Sequence, residues 1–302
     1  MKKSKLLIII GPTAIGKTDL SIKIAQEFKG EIISGDSMQV YKGMDIGTGK
    51  ITRDETKGVP HHMIDILEPR ESFSVADFQE QVASLVRDIE SRGKLPIIVG
   101  GTGHYIKALI DGYEFNEEDA LLIEEKTKEY ESYDSSILYE KLLKLDPTND
   151  VHPNNRQRVI RQLVKKTMPK QEKKAYTKEN DYVTFVLGLT TDRSVIYERI
   201  NQRVLKMFES GLEEEVKKLF KNGLSKTASQ AIGYKEFLPY FKGEASIDSV
   251  VERVQAHSRQ YAKRQLTYFR NQLDVNWYDI ATSDTDIIYK DIYQFLQTKG
   301  EN

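Results

Sequence analysis

No cysteine occurs among the 302 residues. That excludes a disulfide scaffold, thiolate zinc sites, iron–sulfur clusters and a thiol nucleophile. Long hydrophobic runs are missing too. The longest near the start, Leu6–Ile10, falls far below the roughly 18 residues of a membrane span and is too short for the core of a signal peptide. A soluble, cytoplasmic protein without a membrane partner is expected. Net charge is almost nil, with 45 basic residues against 46 acidic ones, so only the distribution of charge is informative.

Hydrophobic residues make up 39% of the chain and charged residues 30%, a globular composition with material for a sizeable core. The length exceeds one average domain, which implies a main domain with a smaller one or an insertion. Residues 114–134 hold nine acids against Lys126 and Lys128, whereas residues 156–178 hold nine bases and one acid, Glu172. Residues 253–270 carry five bases and no acid. Such asymmetry points to a polyanion lying along one side, although solvated helix faces give the same pattern.

The first hundred residues alternate between strand and helix signals. The run Lys5–Ile10 reads as a strand buried on both faces. Leu20, Ile24 and Phe28 then mark one face of a helix over 18–28. Glu31–Ser34 reads as a second strand. Ser74 and Asp77 form a capping box opening a helix whose stripe is Phe78, Val82, Leu85 and Ile89, ending near Gly93. Pro96–Val99 and Val183–Leu189 are further strands. Strands separated by helices imply an α/β core with a parallel sheet flanked by helices. Between about Tyr113 and Glu179 the strand signals vanish, which predicts an inserted all-helical subdomain over 113–178 and a core formed by 1–112 and 179–302. The remainder is expected to be mostly helical, with 193–222 its longest run.

Gly11-Pro-Thr-Ala-Ile-Gly-Lys-Thr18 matches G-x-x-x-x-G-K-[ST] directly between a strand and a helix, the context that turns this pattern into a phosphate loop. Its backbone N–H groups wrap phosphate, Lys17 neutralises charge and Thr18 is a ligand for Mg²⁺. The strand ending at Val99 has no acid after it, only Gly100-Gly-Thr-Gly103. The carboxylate stands after the second strand instead, at Asp36 in Ser34-Gly-Asp-Ser-Met-Gln39. It is suited to holding Mg²⁺ through water, as in a nucleotide kinase, or to accepting a proton from a nucleophile. The five histidines suggest no metal site, since His61 and His62 are adjacent and no pair is spaced by four.

Further segments follow: Ser34-x-Asp36-Ser-x-Gln-Val-Tyr-Lys-Gly-Met-Asp-Ile-Gly-Thr48, Val59-Pro-His-His-Met-Ile-Asp65, Phe73-Ser-Val-Ala-x-Phe78, Val99-Gly-Gly-Thr-Gly103, Asn155-x-Gln-Arg158, Arg199-Ile-x-x-Arg203 and Tyr261-Ala-Lys-Arg-Gln-x-Thr267. With the phosphate loop, these resemble the tRNA dimethylallyltransferases, or tRNA isopentenyltransferases, from Leu6 to about Arg270. Without cysteine for a zinc finger, the chain resembles the compact bacterial form.

The resemblance implies transfer of a dimethylallyl group from dimethylallyl diphosphate to N6 of the tRNA adenosine adjoining the anticodon on its 3′ side, position 37, with release of diphosphate. It implies that Gly11, Pro12, Thr13, Ala14, Ile15, Gly16, Lys17 and Thr18 hold the isoprenoid diphosphate, with Mg²⁺ on Thr18. Asp36 becomes the general base, Thr102 a hydrogen-bonding partner of the reacting amine or diphosphate, and Arg203 an added cation. Contacts to tRNA are expected from Asp36, Ser37, Met38, Gln39, Thr102, Gln157, Arg158, Val159, Ile160, Arg161 and Arg264. Arg259, Tyr261, Lys263, Tyr268 and Arg270 add interleaved cations and aromatics. Ile15 departs from the family pattern, where a small residue is usual, and is expected to add to the apolar lining. A monomer is expected. The alternatives are an adenylate isopentenyltransferase acting on free AMP, ADP or ATP, a P-loop small-molecule kinase, and a non-catalytic nucleotide-dependent RNA-binding module.

Overall fold

The computed structural model describes residues 3–113, 117–168 and 181–298. Lys170, Lys173, Lys174 and Lys178 of the expected basic segment lie outside them. The chain divides into two compact units, residues 1–111 with 179–302, and residues 112–178.

The first unit runs β1 (Ser4–Ile10), α1 (Lys17–Glu27), β2 (Gly30–Ser34), β3 (His61–His62), α2 (Val75–Ser91), β4 (Leu95–Gly100) and α3 (Gly103–Asp111). The second unit contributes α4 (Glu117–Glu131), α5 (Ser135–Leu145) and α6 (Arg156–Thr167). The first then resumes with β5 (Tyr182–Thr190), α7 (Arg193–Glu209), α8 (Leu212–Asn222), α9 (Leu238–Phe241), α10 (Ile247–Gln272), β6 (Asn276–Asp279) and α11 (Thr285–Gln297). The strands form one sheet in the order β3-β2-β4-β1-β5-β6, and every pairing is parallel.

β1 lies inside the sheet, with Leu7 in register with Ile97 on one side and Phe185 on the other. Residues Leu6 to Ile10 are fully buried, which explains an unbroken apolar run where a half-exposed strand would alternate. In α2 the capping box forms as expected, Ser74 accepting from Asp77 N–H. The buried stripe is Phe78, Val82, Val86 and Ile89, so Val86 takes the place expected of Leu85. The second unit has its own core, including Leu138, Leu142, Val159, Ile160 and Leu163.

Two expectations are corrected. The single helix over 193–222 is two, α7 and α8, because Gly211 adopts a left-handed conformation (φ 94°) that ends one and starts the other. Among the described residues the longest helix is instead α10, at 26 residues. The rest of the C-terminal part is mostly helical, with one short strand in it. Asn276–Asp279 forms edge strand β6 against Leu187–Thr190 of β5, four residues being too few to show a period.

His61 and His62 form β3, in register with Ile32 and Ile33. His62 Nε2 lies 2.8 Å from Glu31 Oε2, and the Arg92 guanidinium donates to both oxygens of that carboxylate. Arg92 foremost, with help from His62, holds the buried Glu31 carboxyl down at about 2 against the opposing effect of burial. A lowered folded-state pKa means stability present above the ordinary carboxylate range and lost as pH falls toward about 2. Glu31→Gln is expected to lower unfolding free energy at neutral pH by about 1.5–3 kcal/mol, the range for a hydrogen bond to a charged group. Urea titrations of both proteins between pH 7 and pH 2.5 check this. The gap should narrow on acidification, and a constant gap would refute the role of the charge.

Candidate active site

The site lies beyond the carboxyl ends of β1, β2 and β4, the edge where open parallel sheets hold ligands. After β1 the chain turns through Gly11–Gly16 into α1. Ala14 takes a left-handed φ of 63°, the kind of strain that concentrates in ligand loops. Ile15 buries its side chain in the core. Its carbonyl, rather than its side chain, faces a cation, accepting from Arg199 Nη1 at 3.4 Å.

Lys17 Nζ donates to the carbonyls of Gly11 and Pro12, both at 2.9 Å, so the ammonium is held across its own loop. Burial, and then the neighbouring Arg203 charge, lower Lys17 to about 8, while Asp36 acts in the opposite sense. Burial also lowers Arg203, again opposed by Asp36. Lys17, Arg203 and Asp36 therefore form one electrostatic group, two cations facing one carboxylate.

Asp36 and Thr102 are brought together by the two loops that follow β2 and β4. Gly35 N–H bonds Val99 C=O at 2.8 Å. A Cβ at Gly100 would stand 2.3 Å from the Gly35 oxygen, so only glycine permits this approach. Ser37 N–H then donates to Thr102 Oγ1 at 3.2 Å. Asp36 Oδ1 accepts from Met38 N–H at 2.8 Å and Gln39 N–H at 3.4 Å. These bonds fix one carboxylate oxygen and define the carboxylate's direction.

Two adjoining cavities share Thr13, Asp36, Thr48, Arg203 and Tyr261. One, of about 700 Å³, is polar and contains the phosphate loop, Arg199 and Arg203. The other, of about 320 Å³, is the more apolar, with a wall of Ile200, Val204 and Met207 of α7, Val254 of α10, and Ile232, and with Gln230, Lys235 and Ser258 as polar members of its lining. A cationic compartment opening into an apolar one suits a short apolar group esterified to diphosphate.

The expected residues divide in space. Thr13 through Thr18, Asp36, Gln39 and Arg203 line the polar cavity, and Ser37, Met38 and Arg264 the apolar one, while Gly11 and Pro12 meet the site only through the carbonyls that hold Lys17. In α6, Gln157, Arg158 and Arg161 are exposed. Val159 and Ile160 are not available as tRNA contacts through their side chains, which are buried in the second unit's core. In the basic–aromatic stretch, Arg259 bonds Asn201 Oδ1 at 2.5 Å and Arg270 lies over the Trp277 ring. Tyr261 lines both cavities rather than an outer face. Arg203 does not pair with Glu215. Its Nη2 donates to Thr48 C=O at 3.3 Å, and the Glu215 carboxylate is occupied by backbone N–H groups at 45–47.

Sequence reasoning missed Gln265. Buried on α10, its Oε1 accepts from Thr13 N–H at 3.0 Å and its Nε2 donates to Gly101 C=O at 2.9 Å. One amide thus joins the phosphate loop to the glycine turn after β4. The only signal was its place in Tyr261-Ala-Lys-Arg-Gln.

The model of the family described as IPP transferase matches residues 39–272. The chain belongs to this family. Among relatives, IPP transferase chains include the tRNA dimethylallyltransferase of Macrococcus caseolyticus, 48% identical over 97% of this chain and 96% of that one. A solved tRNA delta(2)-isopentenylpyrophosphate transferase from Staphylococcus epidermidis superposes with a TM-score of 0.72 at 44% identity, covering 97% of this chain and 99% of that one. A eukaryotic dimethylallyltransferase described as acting on tRNA gives the same TM-score of 0.72 at 27% identity, over 99% of this chain and 81% of that one. Members of the IPP transferase family thus share this parallel-sheet core across a wide range of identity. Among the described residues no helix is long and apolar enough to cross a membrane, and no three His, Cys, Asp or Glu side chains group as a metal cage.

Proposed function

We propose that the protein transfers the dimethylallyl group of dimethylallyl diphosphate to N6 of the adenosine adjoining the anticodon on its 3′ side in tRNA, position 37, releasing diphosphate. The observation that carries this is the polar compartment around Lys17 and Arg203 opening into an apolar one, with Asp36 lining both. Family membership supports the same reading.

The allylic C–O bond breaks as the N6–C bond forms. Negative charge grows on the diphosphate, where the loop amides, Lys17 and Arg203 stabilise it without reorganising. The walls formed by Ile200, Val204 and Val254 keep water from the electron-poor allyl carbon. Asp36 accepts the N6 proton, and Thr102 orients the amine. The adenine must leave its stack to reach this depth, and Ser37, Met38 and Gln39 frame it. On the second unit, Gln157, Arg158 and Arg161 contribute RNA contacts, and Arg264 adds one on the first.

Thr18 and Asp19 line the polar compartment beside Lys17. Their hard oxygen donors fit Mg²⁺ held jointly with substrate phosphates, and the ion would supply charge neutralisation on the leaving group. The enzyme acts as a monomer in the cytoplasm, where tRNA is its substrate.

The deciding experiment incubates the protein and Mg²⁺ with labelled dimethylallyl diphosphate, offering unmodified tRNA in one tube and AMP or ATP in another. Label in tRNA is expected. Label only in the free nucleotide would overturn the acceptor, and label in neither would overturn prenyl transfer.

A further inference from the structure

Arg203 needs a wall to rest on, and that wall is built by a residue outside the two cavities. Thr48 C=O accepts from Arg203 Nη2 at 3.3 Å and from Gln39 Nε2 at 3.4 Å. A Cβ at Gly49 would fall 1.6 Å from Arg203 Nη2, so the Nη2 end of the guanidinium abuts the backbone there. The segment 45–49 contains no helix or strand that would hold it in place.

It is held by Glu215, in the first turn of α8. One carboxylate oxygen accepts from Asp45 N–H at 3.0 Å and Ile46 N–H at 2.7 Å, and the other from Gly47 N–H at 3.1 Å. Three successive N–H groups form a concavity suited to an anion, and here the anion is a side chain. The fourth bond comes from the hydroxyl of fully buried Tyr234, 2.7 Å from Oε1. Tyr234 also packs where a Cβ at Gly47 would stand, 2.6 Å from its ring. The other end of the segment is tied by buried Lys50, which bonds Asp45 and Asp65, each at 2.5 Å.

We propose that Glu215 is a positioning residue for the transfer reaction, clamping residues 45–49 so that Thr48 and Gly49 hold Arg203 against the diphosphate. This rests on the role given to Arg203 above. A charge-assisted clamp of four bonds is stiffer than a neutral one. Displacing a catalytic group by about 1 Å costs up to about 100-fold in rate.

Glu215→Gln replaces an acceptor oxygen by a donor facing N–H groups. With Mg²⁺, tRNA and dimethylallyl diphosphate, kcat should fall about 10- to 100-fold while the Kd for tRNA stays unchanged. A purely structural residue would lose activity in proportion to the folded fraction, so kcat is taken per folded molecule from circular dichroism and thermal melts. The discriminating measurement is a double-mutant cycle with Arg203→Ala. If Glu215 acts through Arg203, the double variant is no slower than Arg203→Ala alone. Additive losses, or a wild-type kcat for Glu215→Gln, would overturn the proposal. If Glu215→Gln does not fold, Tyr234→Phe removes one of the four bonds and gives the same cycle at about two- to tenfold, with additivity again overturning it. A wild-type rate for Arg203→Ala would instead refute the role of Arg203 itself and, with it, this route.

Discussion

Lys17→Met is expected to lower kcat/KM for dimethylallyl diphosphate by about 10³, the upper part of the range for removing one preorganised donor from a developing oxyanion. Lys17 is the only residue of the phosphate loop whose side chain carries charge, and its ammonium is already held across that loop by two carbonyls. Its lowered value of about 8 gives the effect a pH signature. Below that value the ammonium is charged before ligand arrives, and binding a polyanion requires no proton. Above it, a proton must be taken up as diphosphate binds, so the contribution of Lys17 weakens by up to tenfold per pH unit. Affinity for inorganic diphosphate measured from pH 6.5 to 9.5 should differ most between wild type and Lys17→Met below about pH 8 and converge above it. Parallel curves would refute the assignment.

Asp36→Ala should lower kcat by roughly 10²–10⁴, the contribution of a positioned general base, while tRNA affinity falls little. Half of the carboxylate is committed to the N–H groups of Met38 and Gln39, which leaves the other oxygen for the substrate proton. Asp36→Asn keeps an acceptor oxygen for those bonds and removes the basicity, so it should be as slow as Asp36→Ala. Single-turnover kinetics with prebound tRNA check both, and an Asn variant of wild-type rate would refute proton transfer to Asp36.

The parts of this fold that were legible in the sequence share one property: their cause is local. An unbroken apolar run announced β1, and a capping box announced α2. The phosphate loop carries its glycines, lysine and threonine within eight residues. β3 and β6 were hidden because two and four residues show no alternation, and their pairing partners are remote in sequence. Gly211 was visible, but whether a glycine ends a helix depends on the φ it adopts. In the site, Lys17, Asp36 and Arg203 were named from motifs and do fall together. Gln265 and Glu215 were not, because each meets its backbone partners across more than 150 residues of chain, and no periodicity encodes such a meeting. Tyr261 shows the limit from the other side, since its basic neighbours suggested an outer face and its helix turns it inward.

Ile200, Val204 and Val254 belong to the hydrophobic core and to the apolar compartment at once. Trimming any of them to accommodate a longer prenyl chain removes packing that the empty protein relies on, at about 0.5–1.5 kcal/mol for each methylene-sized step and more for truncation to alanine. Selectivity for chain length and resistance to unfolding are therefore written in the same side chains. A variant engineered toward a bulkier donor would arrive already weakened, and would need compensating substitutions elsewhere before its new specificity could be seen.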